Sequence, residues 1–340
     1  MPIDSDPTVV CCTPWGDDWT WFVQKLTRPG VRWLIVSDKS NRPWQRYLQQ
    51  PNLVTPWAAL RAVLAVRRTR ARLLITMDGR LAFWCALWCR LAGVRVPHLV
   101  FSFNFPELPR GVKLLVFRFA FRQLSGVRVH SDMERELYHR HFAIPAEHVR
   151  VVLWTMNRPP VEPDCPLQSG DYVCAVGGNA RDYTTLGAVA ERHPEIPQVW
   201  VVRPGNLTGL HLPPNVRVAA NISYPASMNF LAHSRFMVLP LKSAEAPCGH
   251  VTLVSAMYLG KAIVATCSAG ITDYVTEGET GLLCAAANVD SLEEHMLRLW
   301  NDPGEAERLG GNGLAFVQNH CSDAAVAEEM VDYFRSLGLA

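Results

Sequence analysis

Short apolar runs of β type alternate with helical stretches along the whole chain. In the first half the strand-like runs are Val9–Thr13, Trp33–Ser37, Leu73–Thr76, His98–Phe103, Val127–Ser131 and Val149–Trp154. Helical patterns fill the gaps at Asp17–Leu26, Ala58–Arg72, Leu81–Leu91, Gly111–Leu124 and Asp132–Phe142. The last of these carries its own start signal, a cap at Ser131 or Asp132 with Glu134 and Glu136 in the first turn. Asn157–Ser169 then holds four prolines and no periodicity, which predicts a linker.

The alternation restarts after it. Strands are predicted at Tyr172–Val176, Gln198–Val202, Asn215–Ala219, Phe236–Leu239, Ala262–Thr266 and Gly281–Cys284. Helices are predicted at Tyr183–Arg192, Tyr224–His233, Val251–Tyr258 and Ser291–Trp300. The tail from Ala306 to Leu337 reads as helical with breaks at Gly310–Gly313 and Cys321–Ser322. Strands that alternate with helices imply parallel sheets covered on both faces. The predicted class is therefore α/β, with two Rossmann-like domains, 1–157 and 158–340, facing each other across a cleft. Ligands in such folds sit at the carboxyl ends of the strands.

Composition adds little to this picture, and charge adds more. About half of the 340 residues are hydrophobic and 19% are charged, an ordinary globular balance. The 10 cysteines form no CxxC pair and no zinc-type cluster, and Cys85 and Cys89 fit core packing. The opening MPIDSDPTVV is polar and acidic rather than a signal peptide, and no apolar run approaches the roughly 20 residues that span a bilayer. A reducing, cytoplasmic setting is expected. The net charge of +2 hides a split: residues 1–160 carry 23 Lys and Arg against 11 Asp and Glu, and residues 161–340 carry 10 against 20. The first half is thus suited to an anionic partner, unless its basic face simply docks on the acidic half. Two basic apolar stretches, Ala58–Leu74 and Gly111–Leu124, point to the inner face of an anionic membrane, with ordinary domain helices as the alternative.

Candidate chemistry concentrates in the run MVLPLKSAEAPCGHVTLVSAMYLGKAIVATCSAGITDYVTEGETGLL, Met237 to Leu283. A strand ends at Pro240, a loop carries Glu245, and Gly249 permits a close turn into a helix. The first N–H groups of that helix, on His250, Val251 and Thr252, form a ready anion site. A second segment, CAVGGNARDYTTLGAVAER, runs from a strand into Gly177-Gly178 and brings Arg181, a group suited to bidentate phosphate contact, ahead of a helix.

With Glu245, Gly249, Ala256-Met257, Gly260-Lys261 and Gly281-Leu282-Leu283 in order, the first run resembles the donor-binding segment of retaining GT-B glycosyltransferases of family 4, the glycosyl transferases group 1. The resemblance implies a GT-B fold with a C-terminal helix crossing back to the N-terminal domain. It implies transfer of a sugar, with retention, from a nucleoside diphosphate sugar to a saccharide or lipid-linked acceptor. Glu245 would hold the donor sugar and Arg181 its diphosphate, beside Gly178, Gly249, His250, Val251, Thr252 and Ser255. Gly16, in the first βα turn, would let the donor phosphate approach the backbone. Neither a metal nor a cofactor beyond the donor is expected, and nucleic acid is not expected as a partner. Three departures stand out: Ser255 replaces the family's second glutamate, the loop after Glu245 is one residue longer, and Ser102-Phe103-Asn104 stands where the family often has a histidine. They keep open a non-catalytic nucleotide-sugar binder or an epimerase on the same fold.

Overall fold

The computed structural model describes residues 6–14, 31–37, 53–105, 108–161, 171–245 and 248–339. The predicted helix at Asp17–Leu26, Gly16 and most of the proline-rich linker lie outside them. The chain divides into two compact units, Met1–Val152 with Ala327–Ala340, and Leu153–Val326. The terminal segment thus returns to the first unit.

The first unit is built on a six-stranded parallel sheet in the order β2-β1-β3-β4-β5-β6. Its strands are β1 (Thr8–Thr13), β2 (Arg32–Ser37), β3 (Leu73–Asp78), β4 (His98–Ser102), β5 (Gly126–Val129) and β6 (Val149–Val151). Four described helices connect them: α1 (Val54–Thr69), α2 (Gly79–Leu91), α3 (Gly111–Phe121) and α4 (Asp132–Phe142). Start signals are visible at their ends. Asp78 Oδ1 accepts from the N–H groups of Arg80 and Leu81 at 2.8 Å to open α2. Ser131 Oγ caps α4 by accepting from the Glu134 N–H, and Glu134 Oε2 reaches back to accept from the His130 N–H.

Strand pleat sorts the core. Val127 and Val129 pack with Phe117, Phe121, Tyr138 and Phe142 under α3 and α4. Arg128, between them, must face the other way. There it meets the returning C-terminal segment: Nη2 lies 2.6 Å from Glu329 Oε1, and the guanidinium sits 4.9 Å over the Tyr333 ring. Trp33 and Phe334 add a ring contact at 5.9 Å.

The second unit repeats the design with order β12-β11-β10-β7-β8-β9. Its strands are β7 (Val173–Val176), β8 (Gln198–Val202), β9 (Val216–Ala220), β10 (Phe236–Leu239), β11 (Ala262–Thr266) and β12 (Leu282–Cys284). Helices α5 (Tyr183–Arg192), α6 (Tyr224–Ala232), α7 (His250–Tyr258), α8 (Val289–Asn301) and α9 (Pro303–His320) complete it, and α10 (Asp323–Ser336) carries the chain back. Apolar clusters line both faces of this sheet, one with Leu253, Val254 and Met257 of α7, the other with Leu186 and Val189 of α5. This is why its central strands are apolar at every position rather than alternating.

One expectation fails. Gly310–Gly313 does not break the tail, because α9 runs unbroken from Pro303 to His320. Two of its glycines serve packing: a Cβ on Gly310 would lie 2.2 Å from the Gly260 carbonyl oxygen, and one on Gly313 would lie 3.3 Å from Met257 Cγ. The break at Cys321–Ser322 is present.

Candidate functional site

Strand order reverses between β7 and β10. The chain runs from β7 outward to β8 and β9, then returns to β10 on the other side of β7. Loops leaving two such strands diverge and open a crevice at their carboxyl ends. The candidate residues lie in these two loops, which are zipped together. Asp182 N–H donates to Pro240 O at 3.0 Å, Lys242 N–H donates to Ala180 O at 3.0 Å, and Arg181 bridges to Leu241.

That zipper fixes Arg181. Its side chain is almost wholly buried, at 4% exposure, and forms no ion pair with a carboxylate of the described residues. Instead Nε donates to Val176 O at 3.2 Å, Nη1 to Asn179 O at 2.9 Å and Nη2 to Thr252 Oγ1 at 3.3 Å. Burial holds the guanidinium below its ordinary pKa, offset in part by Cys248 and Tyr183. Gly177, at φ +117°, makes room for it, since a Cβ there would sit 2.7 Å from Nη2.

The second wall is the start of α7. Gly249 precedes it at φ +102°, a conformation that strains any residue with a Cβ. No side chain caps the helix, and its ladder begins with Leu253 N–H donating to Gly249 O at 2.9 Å. The N–H groups of His250, Val251 and Thr252 therefore lie ahead of the ladder. A buried guanidinium and the positive end of a helix dipole thus meet at Thr252. Two positive poles without an intervening carboxylate repel each other unless an anion joins them.

Around this centre the expected residues take different parts. Gly178 is held by Asn206, whose Nδ2 donates to its carbonyl at 2.7 Å, so Asn206 braces the glycine loop. His250 is buried, its Nε2 lies 2.9 Å from Gly270 O, and burial, with Arg181 nearby, lowers its pKa. Ser255, one turn into α7, donates to Val251 O at 2.6 Å. That bond uses its one proton, so at 2.9 Å it accepts from the hydroxyl of Tyr224, which is 42% exposed. Glu245 is exposed in the loop before α7, its N–H bonded to Ser243 Oγ at 3.0 Å, and is not drawn into the cluster. Gly16 is outside the described residues.

By its resemblance, sequence reasoning placed Asn206 and Asn221–Tyr224 only by position, in loops expected to meet a nucleotide base, and gave no side-chain role to Tyr224 or Cys248. The Cys248 thiol donates to Asn179 O at 3.2 Å, beside Arg181 Nη1 at 3.9 Å. Tyr224 opens α6 after β9, and Cys248 lies in the loop after β10, so the chain brings them to the site from two different strands. In the first unit, His98 is fully buried with Nε2 2.9 Å from Thr76 Oγ1, a core residue. His130 lies between Ser102 Oγ at 2.8 Å and Val152 O at 3.0 Å.

Residues 207–315 match the family Glycosyl transferases group 1. Among solved structures, sucrose-phosphate synthase from Thermosynechococcus elongatus superposes with a TM-score of 0.72 at 18% identity, covering 97% of this chain and 99% of that one. HepE from Anabaena, in complex with UDP, gives 0.71 at 15% identity over 97% of this chain and 100% of its own. The lipopolysaccharide outer core galactosyltransferase WaaB gives 0.67 at 14% identity over 97% and 99%. No match is found among curated protein sequences. The fold is that of the GT-B glycosyltransferases, and the matched family segment spans α6 to α9, including the start of α7 and Ser255.

Proposed function

We propose that this chain is a glycosyltransferase that takes a sugar from a nucleoside diphosphate donor and passes it, with retention, to a saccharide or lipid-linked acceptor. The observation that supports it best is the meeting of buried Arg181 with the open N-terminus of α7 at the strand-order reversal. A diphosphate fits this pair in charge and in hydrogen bonding. HepE, similar in fold, was crystallised with UDP and with UDP-glucose, which favours a hexose donor of that kind.

Bond cleavage moves charge onto the leaving diphosphate. Arg181 and the α7 N–H groups would meet that charge with dipoles already oriented, so a metal ion is not required for this step. Tyr224, at the start of α6 and exposed, would offer its hydroxyl to the ribose of the donor, held in place by the buried Ser255 one turn further along α7. Glu245, from its exposed loop, would reach the donor sugar when the site is filled. Ser255, in place of a carboxylate, favours a second reading, a protein that binds a nucleotide sugar without transferring it.

Thermal shift with a panel of nucleoside diphosphates and their sugars tests the reading. A rise in Tm with one of them is expected for the wild type and its loss for Arg181→Met. Affinity should fall at least about tenfold, the worth of one charge-assisted bond. An equal shift in the variant would remove Arg181 from the site. Binding without hydrolysis or transfer, unaltered by Glu245→Ala, would select the binding reading.

A further inference from the structure

Helix α3 departs from the usual rule that a helix on a sheet is apolar inward and polar outward. Its inner face is buried through Phe117, Ala120 and Phe121, with Phe117 stacked 4.0 Å from Phe83. Its outer face is apolar too: Val112 is 77% exposed, Leu115 62%, Val116 38% and Phe119 42%. The spacing 112, 115, 116, 119 makes these four one continuous stripe. Leu91, at the end of the adjacent α2, is 65% exposed, and Arg90 beside it lays its guanidinium 4.1 Å over the Phe119 ring. From Leu108 to Leu124 there are four Lys or Arg and no Asp or Glu. Arg110, Lys113 and Arg122 are exposed at the rim of the stripe.

We propose that this outer face of α3 docks on an anionic lipid bilayer, with the apolar stripe in the headgroup–acyl boundary and the cations on lipid phosphates. An 11-residue helix is too short to span a bilayer but suits an interfacial position. The long Lys and Arg stems can lie along the stripe and lift their charges to the headgroups. The charge pattern favours lipid over a second copy of the chain, because a two-fold contact would set the same cations against each other. The other basic stretch is different. On α1 the exposed positions alternate, Trp57, Arg61, Leu64, Arg68, and the small apolar side chains Ala58, Ala59, Ala62 and Val63 are buried, as in an ordinary domain helix.

Vesicle co-sedimentation of the full chain tests this, with phosphatidylcholine alone and phosphatidylcholine mixed with phosphatidylglycerol. Binding to the anionic vesicles at low salt is expected, weakening as salt rises. The combined variant Val112→Ser, Leu115→Ser, Phe119→Ser and the pair Lys113→Glu, Arg122→Glu should each lose about tenfold or more in partitioning. Arg61→Gln with Arg67→Gln should keep it. All altered side chains are exposed, so circular dichroism and the thermal shift with nucleoside diphosphate should remain those of the wild type. The proposal therefore fails or stands apart from the donor site. Absence of wild-type binding at low salt, or binding indifferent to both α3 variants, would overturn it. So would a lipid-free dimer that the serine variant converts to monomer.

Discussion

A fully buried histidine shows how one side chain can set the acid limit of a unit. His98 is pushed down to about 3 by burial, from an ordinary value of 6.5. Its Nδ1 has no hydrogen-bond partner among the described residues, so a proton added there would be a charge in apolar surroundings. The unfolded chain takes up that proton below about pH 6.5 and the folded chain does not, so stability falls as pH drops through that point toward 3. At pH 5 the loss is about 2 kcal/mol. Urea midpoints at pH 7 and pH 5 should therefore differ by more in the wild type than in His98→Gln. An equal difference in both would assign the acid sensitivity to other groups. Arg181 is the opposite case, a buried group that stays charged and whose cost of burial a bound anion would offset. Both residues were visible in the sequence, and their surroundings show the physical contrast between them: an apolar pocket around His98, and a ring of hydrogen-bond acceptors around Arg181.

At the scale of elements, adjacent glycines of α9 do opposite things. Gly310 faces the turn after α7, where a Cβ would be 2.2 Å from Gly260 O, and Gly311 has nothing within 4 Å. Gly310→Ala should push α9 off that turn and cost about 3 kcal/mol, as overpacking does. Gly311→Ala should stabilise by about 0.5–1 kcal/mol through helix propensity alone. Chemical denaturation of the two variants checks the signs, and similar effects would show that α9 does not press on Gly260. The sequence rule that reads glycine as a helix breaker could not see this, since the constraint comes from a residue 50 positions away. Elements without such long-range conflicts were legible: Asp132–Phe142, Tyr183–Arg192, Gln198–Val202, Phe236–Leu239 and Ala262–Thr266 stand at the expected boundaries.

On the scale of the whole molecule, the returning C-terminal segment is held to the first unit by a buried charge. Arg128 and Glu329 approach to 2.6 Å without aligned hydrogen bonds, so the contact rests on charge, with Arg150 a further 3.8 Å from the same carboxylate oxygen. Removing one partner leaves the other uncompensated in a poorly solvated place. Glu329→Ala should cost about 3 kcal/mol, read by urea unfolding of the full chain. Loss of Arg128 alone is expected to be comparable, and the double substitution Arg128→Met, Glu329→Met milder than either. A double variant as unstable as the sum of the singles would show that the two do not interact.

The order of the described strands and helices, the two-sheet α/β class and the glycine turn that opens α7 followed from sequence alone, because they rest on local periodicity, caps and glycine turns. The long central runs of apolar residues also required sheets covered on both faces. Tertiary structure decided what depends on contacts between distant segments. It placed the strand-order reversal between β7 and β10, so that Arg181 and Thr252 meet. It paired Ser255 with Tyr224, left Glu245 in an exposed loop, and turned the outer side of α3 to solvent while α1 buried its small apolar residues. Local pattern fixes which residues can share a face, and only the packing of one element on another determines which face is covered.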